Sequence, residues 1–400
     1  MTKTLLACAL GILVFQACHH RSEEQFTGSI LLSSAEQKAS CVYLTTDEKN
    51  IPVVSWCETD GAEKKYFYLS YFDTSAGTFS SAVPIPIAQN ANIHEEGMPK
   101  IAIKGDGSLL ALYETTVPTK ENPWAGSIRY IQSFDKGKTW SSPGYVHADT
   151  TAGKERSFAA MTRLSNGEIG VCWLDTTIDP KRAGRPVKFA ATAGNDGFRH
   201  EVLVDSSACE CCRTSISSDT QGHIAVVYRD ITGNNIRDIS VSRSADNGQS
   251  FSTPVLFSND GWQISGCPHN GPSVANTVDT TYATWFTGGT QSGVYYGELD
   301  SSNQIIRRER ISADSRNIQL ALLANGAKVL AYNQTVPDGD LFYSKIIVRK
   351  INGKQMKEKN ITSSKAQATY PVINSFGSDK IIVAWADQEK IYYTVIDQEL

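Results

Sequence analysis

The chain has 400 residues, of which 40% are hydrophobic and 20% are charged, and its formal net charge is −4. This is the composition of an ordinary folded protein. It contains no basic tract and no stripe of basic and aromatic residues, which argues against nucleic acid as a partner.

The first residues predict export. Lys3 supplies a positive start, residues 5–14 form an apolar stretch, and Cys18 stands where a lipoprotein is cleaved and lipidated. We expect a signal peptide over residues 1–17 and a lipidated tether over 18–26, with plain secretion or a retained anchor as the alternative. The protein would then be a lipoprotein of a bacterial cell envelope. It would contact the membrane only through its lipid, since no later segment is long and apolar enough to span one.

A repeat organises the rest of the chain. Short apolar stretches ending in Trp or Tyr recur at intervals of roughly 45 to 60 residues, the length of one four-stranded propeller blade. The seven aromatic residues are Trp56, Tyr113, Trp173, Tyr228, Trp285, Tyr332 and Trp385. Short segments rich in β-branched residues surround each of them, and no helical periodicity follows the signal. The sequence predicts an all-β, seven-bladed β-propeller as a single domain over residues 27–400.

The seventh copy of the repeat is incomplete. It stops after its third strand, at residues 390–396, so the last blade lacks one strand. The segment Gly28–Leu32 precedes the first copy and can supply the missing strand. We therefore expect an N-terminal strand to close the ring, which removes exposed sheet edges that would otherwise invite aggregation.

Two copies carry the pattern Ser-x-Asp-x-Gly-x-x-aromatic between their third and fourth strands. The Asp carboxylate can accept backbone N–H bonds of the turn, Gly permits a positive φ, and the aromatic ring packs back on the blade. The residues are Ser133, Asp135, Gly137 and Trp140 in the second copy, and Ser244, Asp246, Gly248 and Phe251 in the fourth. These octets resemble the Asp box, or BNR repeat, of the sialidase (neuraminidase) superfamily. In that superfamily the box is structural, so the resemblance implies no chemistry for it.

At the level of fold the resemblance covers the whole chain after residue 26. Sialidases are usually six-bladed, which makes six blades the alternative to the seven counted. The motifs Cys-x-Cys-Cys-Arg (209–213), Tyr-Arg-Asp (228–230), Asp-Gly-Trp (260–262) and Cys-Pro-His-Asn-Gly-Pro (267–272) are similar to a subgroup of exported bacterial sialidase-like proteins. This second resemblance implies a fold more than a reaction.

Four cysteines and a histidine precede the first strands of the fourth and fifth copies: Cys209, Cys211, Cys212, Cys267 and His269. In a propeller these segments are neighbours at the same end of adjacent blades. One interpretation is a pair of disulfides, because adjacent residues of an extended strand point in opposite directions. The other is a thiolate–imidazole site for a soft metal, Cu(I) or Zn(II). No other cofactor is predicted.

A further pair, Cys41 and Cys57, lies on the two arms of a predicted hairpin. A register that places Thr45 opposite Val53 also places Cys41 opposite Cys57. In an exported protein such a pair can form a cross-strand disulfide. The alternative is two unpaired thiols half buried in the strand.

The segments before the first strands should meet at one end of the propeller axis. Sialidases grip a substrate carboxylate with three arginines and use a Tyr nucleophile activated by a Glu. The resemblance therefore implies Arg156, Arg213, Arg316 and His269 as substrate-binding residues, and Tyr370, Glu95 and Glu96 as catalytic residues. The match is incomplete, because the Arg-Ile-Pro motif of the first sialidase arginine is missing. These residues are therefore assigned from their positions in the repeat alignment, and not from a sialidase catalytic motif.

Three function classes remain open. An exo-α-sialidase type of glycoside hydrolase would act on acidic glycans in an axial pocket. A non-catalytic propeller would bind an acidic glycan or another small anionic ligand there. A thiolate metal protein would use the cysteine cluster instead. From the sequence we favour the sialidase-like function, acting on or binding acidic glycans.

Overall fold

A computed structural model describes residues 28–179, 181 and 183–397. The predicted signal peptide, Cys18 and the tether lie outside the described residues. In the described part the regular elements are all β-strands. It contains no helix with the length and apolar character needed to cross a membrane.

The strands form seven sheets, numbered here as blades in chain order. The N-terminal strand β1 spans Ile30–Leu31 and belongs to the last blade. The strands of blade one are β2 (Lys38–Thr46), β3 (Pro52–Thr59), β4 (Lys65–Asp73), β5 (Thr78–Phe79) and β6 (Val83–Ile85), the last two both paired with β4. Those of blade two are β7 (Lys100–Ile103), β8 (Leu109–Thr116), β9 (Gly126–Ser133) and β10 (Gly144–Tyr145). Those of blade three are β11 (Ser157–Arg163), β12 (Ile169–Leu174), β13 (Arg185–Thr192) and β14 (Phe198–Ala208).

The remaining four blades repeat the pattern. The strands of blade four are β15 (Ser215–Ser218), β16 (Ile224–Arg229), β17 (Ile239–Ser244) and β18 (Val255–Leu256). Those of blade five are β19 (Ser273–Asn276), β20 (Thr280–Thr287), β21 (Gly293–Asp300) and β22 (Ile305–Ser312). Those of blade six are β23 (Ser315–Leu322), β24 (Lys328–Asp338), β25 (Leu341–Asn352) and β26 (Gln355–Asn360). Blade seven contains β27 (Thr369–Phe376), β28 (Lys380–Asp387) and β29 (Lys390–Ile396).

Blade seven is completed by the N-terminal strand. Its strand order is β1-β29-β28-β27, and β1 runs antiparallel to β29 with Ile30 opposite Tyr393 and Leu31 opposite Tyr392. The predictions of seven blades and of an N-terminal closing strand are therefore confirmed.

The hydrophobic core lies between adjacent blades. All seven aromatic residues of the repeat are buried, with 2% or less of their surface exposed. Each stands on the second strand of its blade, which is apolar on both faces because a neighbouring blade covers each face. Trp385 of blade seven, for example, shares one core cluster with Val329 and Val348 of blade six.

The first strands of the blades surround the axis. Together they line a cavity of ≈400 Å³, to which each contributes, for example, Tyr43, Lys100, Ala160, Ser215, Ser273, Gln319 and Val372. We call the end of the axis at which β2, β7, β11, β15, β19, β23 and β27 begin the mouth. Because neighbouring strands are antiparallel, third strands also begin at the mouth and end on the opposite side.

Both Asp boxes lie on that opposite side, after the third strands β9 and β17. In the first box Asp135 accepts bonds from the Ser133 hydroxyl at 2.9 Å and from the Thr139 N–H at 2.8 Å. In the second, Asp246 accepts from the Ser244 hydroxyl at 2.6 Å and the Ser250 N–H at 3.0 Å. The bonds stay within each turn, away from the mouth.

Strand β2 departs from the predicted register. Thr45 pairs with Val53 as expected, but the register shifts between Ser40 and Tyr43, so that Ser40 instead of Cys41 stands opposite Cys57. Cys41 is the bulged residue, with a φ of 58°. The prediction that Cys41 pairs directly with Cys57 is thus wrong by one residue. Both are free, buried thiols, and a disulfide between them stays a prediction.

Candidate functional site

A bulge of the same kind occurs at the mouth in four blades. It interrupts the pairing of the first strand with the second in blades one, three, six and seven. The bulged residues have positive φ values of 58°, 59°, 52° and 48°: Cys41, Phe158, Asn317 and Tyr370. A left-handed conformation at a residue with a side chain is strained, and such strain gathers at functional sites. The strained residues therefore indicate that the functional site lies at the mouth.

A buried ion pair crosses the mouth. Glu96 is fully buried, and its Oε1 accepts a bond from Arg213 Nη1 at 2.5 Å. Its Oε2 accepts the N–H groups of Arg213 at 3.2 Å and of Gly271 at 3.0 Å. A Cβ on Gly271 would lie 2.3 Å from Arg213 Cγ, so only glycine fits there. Both oxygens of Glu96 thus bind the segments that precede the first strands of blades four and five.

Glu95 has the freedom that Glu96 lacks. Its Oε1 accepts the Cys41 N–H at 2.9 Å, while Oε2 is buried and has no hydrogen-bond partner among the described residues. Burial raises the pKa of Glu95 to about 7. Tyr370 lies within electrostatic range of both glutamates and of Arg213, and burial followed by these carboxylates raises the pKa of its hydroxyl. Glu95 and Tyr370 are therefore electrostatic neighbours at the mouth.

The three arginines predicted to grip a substrate have separate partners. Arg156 is 2% exposed and forms ion pairs with Asp149 at 3.0 Å and Asp175 at 3.2 Å. Arg213 is held by Glu96, as described above. Arg316 is exposed, and its guanidinium lies 4.6 Å from the centre of the Phe286 ring. Each guanidinium thus has its own partner within the protein, and a shared carboxylate grip stays a prediction.

The cysteines of blade four form a buried triad. The sulfur atoms of Cys209, Cys211 and Cys212 all lie within 4.8 Å of one another, and the sulfurs of Cys209 and Cys211 are 3.8 Å apart. Hydrogen bonds from the two neighbouring thiols lower the pKa of Cys209. Burial, followed by the hydrogen bond with Cys209, raises the pKa of Cys212 to about 12. We call this group the inner triad.

A second triad adjoins the first. The ligand atoms of Cys211, Cys267 and His269 also lie within 4.8 Å of one another. Cys267 and His269 are exposed, and the His269 ring packs edge-on against His94 with centroids 5.5 Å apart. We call this group the outer triad. The structure thus brings together all five residues of the predicted cluster.

The outer triad borders a surface cavity of ≈580 Å³. The cavity is lined by Cys211, Cys267 and His269 together with Phe158 and Trp124. Trp124 is 75% exposed, an unusual position for a large aromatic side chain. The inner triad is more enclosed: its three residues are at most 6% exposed, and of them Cys211 alone lines the cavity.

Sequence reasoning missed several residues of this site. Arg237 Nη1 donates to Cys209 Sγ at 3.0 Å and thereby stabilises negative charge on the inner triad. It precedes the third strand of blade four, which begins at the mouth, so blade topology could have indicated it. Lys100 and Glu114 were also missed. Burial lowers the pKa of Lys100 to about 8 and raises that of Glu114 to about 7.

The fold and its turns define a class of protein, a seven-bladed propeller with Asp-box turns and a polar mouth. A family model described as a BNR repeat-like domain matches residues 55–290, which is more than half of the chain. The chain belongs to this family. The expected resemblance is confirmed at that level, while the subgroup with the Cys-x-Cys-Cys motif stays a prediction. No curated protein is recognisably similar in sequence.

Several solved structures share the fold. A protein of unknown function from Dyadobacter fermentans is 14% identical, with a TM-score of 0.52 over 82% of this chain and 98% of its own. The polysaccharide lyase Uly1 is 9% identical, with a TM-score of 0.57 over 89% of both chains. An α-L-arabinofuranosidase of Fusarium graminearum, solved with arabinobiose, is 13% identical, with a TM-score of 0.50 over 92% of this chain and 97% of its own. At these identities the likeness shows the fold alone.

Proposed function

We propose that this propeller binds a soft metal ion, Cu(I), through its cysteine cluster. The observation that carries the proposal is the convergence of four cysteines and His269 from two adjacent blades into triads of ligand atoms within 4.8 Å. Two ligands of one ion at about 2.3 Å each lie up to about 4.6 Å apart, so a spacing within 4.8 Å is close to that of shared coordination. Bonded sulfurs would be about 2.05 Å apart, whereas those of Cys209 and Cys211 are 3.8 Å apart.

The type of ligand favours Cu(I) over other ions. Thiolates select soft ions such as Cu(I) and zinc, whereas hard ions require oxygen ligands. Zinc in a closed structural site takes four ligands in a tetrahedron. The ligand atoms here form groups of three, a number that suits Cu(I) better than structural zinc.

The proposal is tested on the full chain, purified anaerobically in reduced form. We expect Cu(I) to bind in competition with a chromophoric Cu(I) chelator, and free thiols to disappear as it binds. Cys211→Ser should weaken binding strongly, because it removes a ligand of both triads. The matched control is Cys172→Ala, a buried thiol bonded to Thr214 outside the cluster. Two disulfides among the four cysteines, with no Cu(I) or Zn(II) bound after reduction, would contradict the proposal.

A second candidate function is supported by the pair Glu95 and Tyr370. We propose that the mouth binds a carbohydrate, and specifically an acidic glycan. If it is also a glycosidase, Tyr370 would act as the nucleophile and Glu95 as its base, since Glu95 keeps one oxygen without a partner and has a pKa of about 7. Arg213 Nη2, also buried and without a hydrogen-bond partner among the described residues, is a cation within electrostatic range of Tyr370 that could bind the acidic group of a glycan.

Calorimetry with sialic acid and a neutral analogue tests this second candidate. We expect tighter binding of the acid than of the neutral analogue. If the protein is also a glycosidase, Tyr370→Phe should still bind the acid but should not turn over a substrate. Equal or undetectable binding of both sugars would leave only the fold in common with glycosidases.

We also propose that the chain is an exported lipoprotein of the bacterial cell envelope, anchored through Cys18. Metabolic labelling with palmitate tests this: we expect label on the wild type and none on Cys18→Ala. Label on both variants, or on neither, would contradict lipidation at Cys18.

A further inference from the structure

The two triads share a single sulfur. Cys211 Sγ belongs both to the inner triad, with Cys209 and Cys212, and to the outer triad, with Cys267 and His269. Although each triad meets the 4.8 Å spacing, the five ligand atoms do not merge into one group at that spacing. Since ligands of one ion lie within about 4.6 Å of one another, a single ion cannot use all five.

We infer that the centre is dinuclear, with the Cys211 thiolate bridging one ion in the inner triad and a second ion in the outer triad. This inference rests on the proposed metal-binding function. Each coordinated thiol releases its proton to solvent when the metal binds, so that ions replace protons on the four sulfurs. His269 contributes its neutral ring nitrogen as the remaining ligand.

The charges around the cluster favour two monovalent ions. Four thiolates with two Cu(I) ions leave two negative charges. Arg237 donates to Cys209 Sγ at 3.0 Å. Arg229, whose two Nη groups donate to backbone carbonyls, lies within electrostatic range of Cys212. The other anion near Arg237, Glu210, is half exposed and 4.0 Å away. Two divalent ions would neutralise the thiolates alone, which leaves Arg237 with only the half-exposed Glu210 and buried Arg229 with no counter-charge from the cluster.

The two sites differ in access. Cys209 and Cys212 of the inner triad are buried away from the cavity, whereas the outer triad has two exposed ligands and opens with Cys211 onto the ≈580 Å³ cavity beside Trp124. An ion in the outer triad is therefore the one that solvent and chelators reach. We expect the outer ion to exchange and the inner ion to be retained.

The test is a titration of the reduced full chain with Cu(I) against a Cu(I) chelator, with the number of bound ions as the readout. We expect two ions on the wild type and on the control Cys172→Ala. The double variant Cys267→Ser, His269→Ala should bind one ion, and because both positions are exposed it should fold normally. The double variant Cys209→Ser, Cys212→Ser should also bind one ion, now rapidly removed by excess chelator.

The possible outcomes separate this inference from the function on which it rests. One ion on the wild type, unchanged in either double variant, would overturn the dinuclear centre and leave a mononuclear metal protein. Two ions retained after loss of Cys267 and His269 would also overturn it. No ion on the wild type would overturn the metal-binding function itself.

Discussion

The carboxylate of Glu96 binds both the side chain and the backbone N–H of Arg213, a residue 117 positions further along the sequence. Oε1 accepts from Nη1 at 2.5 Å, and Oε2 accepts the backbone N–H at 3.2 Å. Glu96 is fully buried and Arg213 is 8% exposed. The pair therefore fixes the start of blade four, directly after the inner triad, relative to the loop that precedes blade two.

The first prediction concerns this ion pair. Glu96→Gln should lower the free energy of unfolding by about 3–5 kcal/mol, because it leaves a buried guanidinium without its counter-charge. Replacing both residues, as in Glu96→Gln with Arg213→Met, should cost less than the single change plus the loss of Arg213 alone. Urea unfolding measures both effects. The control is Glu389→Gln in the exposed pair with Lys38, where we expect little change; an equally small effect at Glu96 would refute the structural role.

The Asp boxes should make stability depend on acid pH. Hydrogen bonds from the Thr139 side chain and backbone lower the pKa of Asp135 to about 2. Burial opposes ionisation of Asp246, but bonds from Ser244 and Ser250 outweigh it, and its pKa is also about 2. A lowered pKa contributes stability that is complete above the unfolded value of about 3.9 and is lost as pH falls through the folded value.

We therefore expect Asp135→Asn and Asp246→Asn to lower the melting temperature at pH 7, with the difference from wild type shrinking as the pH falls from about 4 to about 2. Thermal unfolding over this range tests the prediction, with Asp279→Asn at an exposed bend as the control. A melting temperature unaffected by either substitution, together with loss of metal or glycan binding, would assign the boxes a functional role instead.

Glu95 should have the opposite dependence on pH. Burial raises its pKa to about 7, above the usual value of about 4.3 for glutamate. Folding then favours the protonated form, so its contribution to stability is complete below about pH 4 and is lost as the pH rises through about 7. Glu95→Gln should flatten the stability curve between these values. Urea unfolding at a series of pH values measures it, and parallel curves for the two proteins would show that Glu95 ionises as it does in water.

Removal of the closing strand β1 should lower stability. The Leu32 N–H donates to Ile391 O at 2.8 Å, and Ser33 Oγ accepts the Ile391 N–H at 3.0 Å. A chain that begins at Ser34 loses β1 and exposes the edge of β29, whereas one that begins at Thr27 keeps it. We expect the shorter chain to melt at a lower temperature and to self-associate. Identical melting and elution of the two chains would show that β1 is dispensable.

The fold could be predicted from the sequence because each copy of the repeat has a short, recognisable pattern of its own. Seven apolar stretches that end in Trp or Tyr indicated the number of blades, and the incomplete last copy predicted the closing strand. Blade topology also brought Cys211 and His269 together, because segments before adjacent first strands must meet at the mouth.

The interactions within the site could not be predicted in the same way. Nothing in the sequence marks the positive φ of Cys41, so the bulge and its shift of register were missed. The ion pairs of Arg156 with Asp149 and Asp175 were likewise not predicted. Glu95 and Glu96 are neighbours in sequence, but only burial distinguishes the one with an unpartnered oxygen from the one paired with Arg213.

An anomalous diffraction map of crystals of the Cu(I)-loaded protein would show whether the cysteine cluster is a metal centre. We expect a copper peak among the sulfurs of Cys209, Cys211 and Cys212 and a second between Cys211, Cys267 and His269. Continuous density joining the four cysteines as disulfides, with no anomalous peak at either triad, would contradict it.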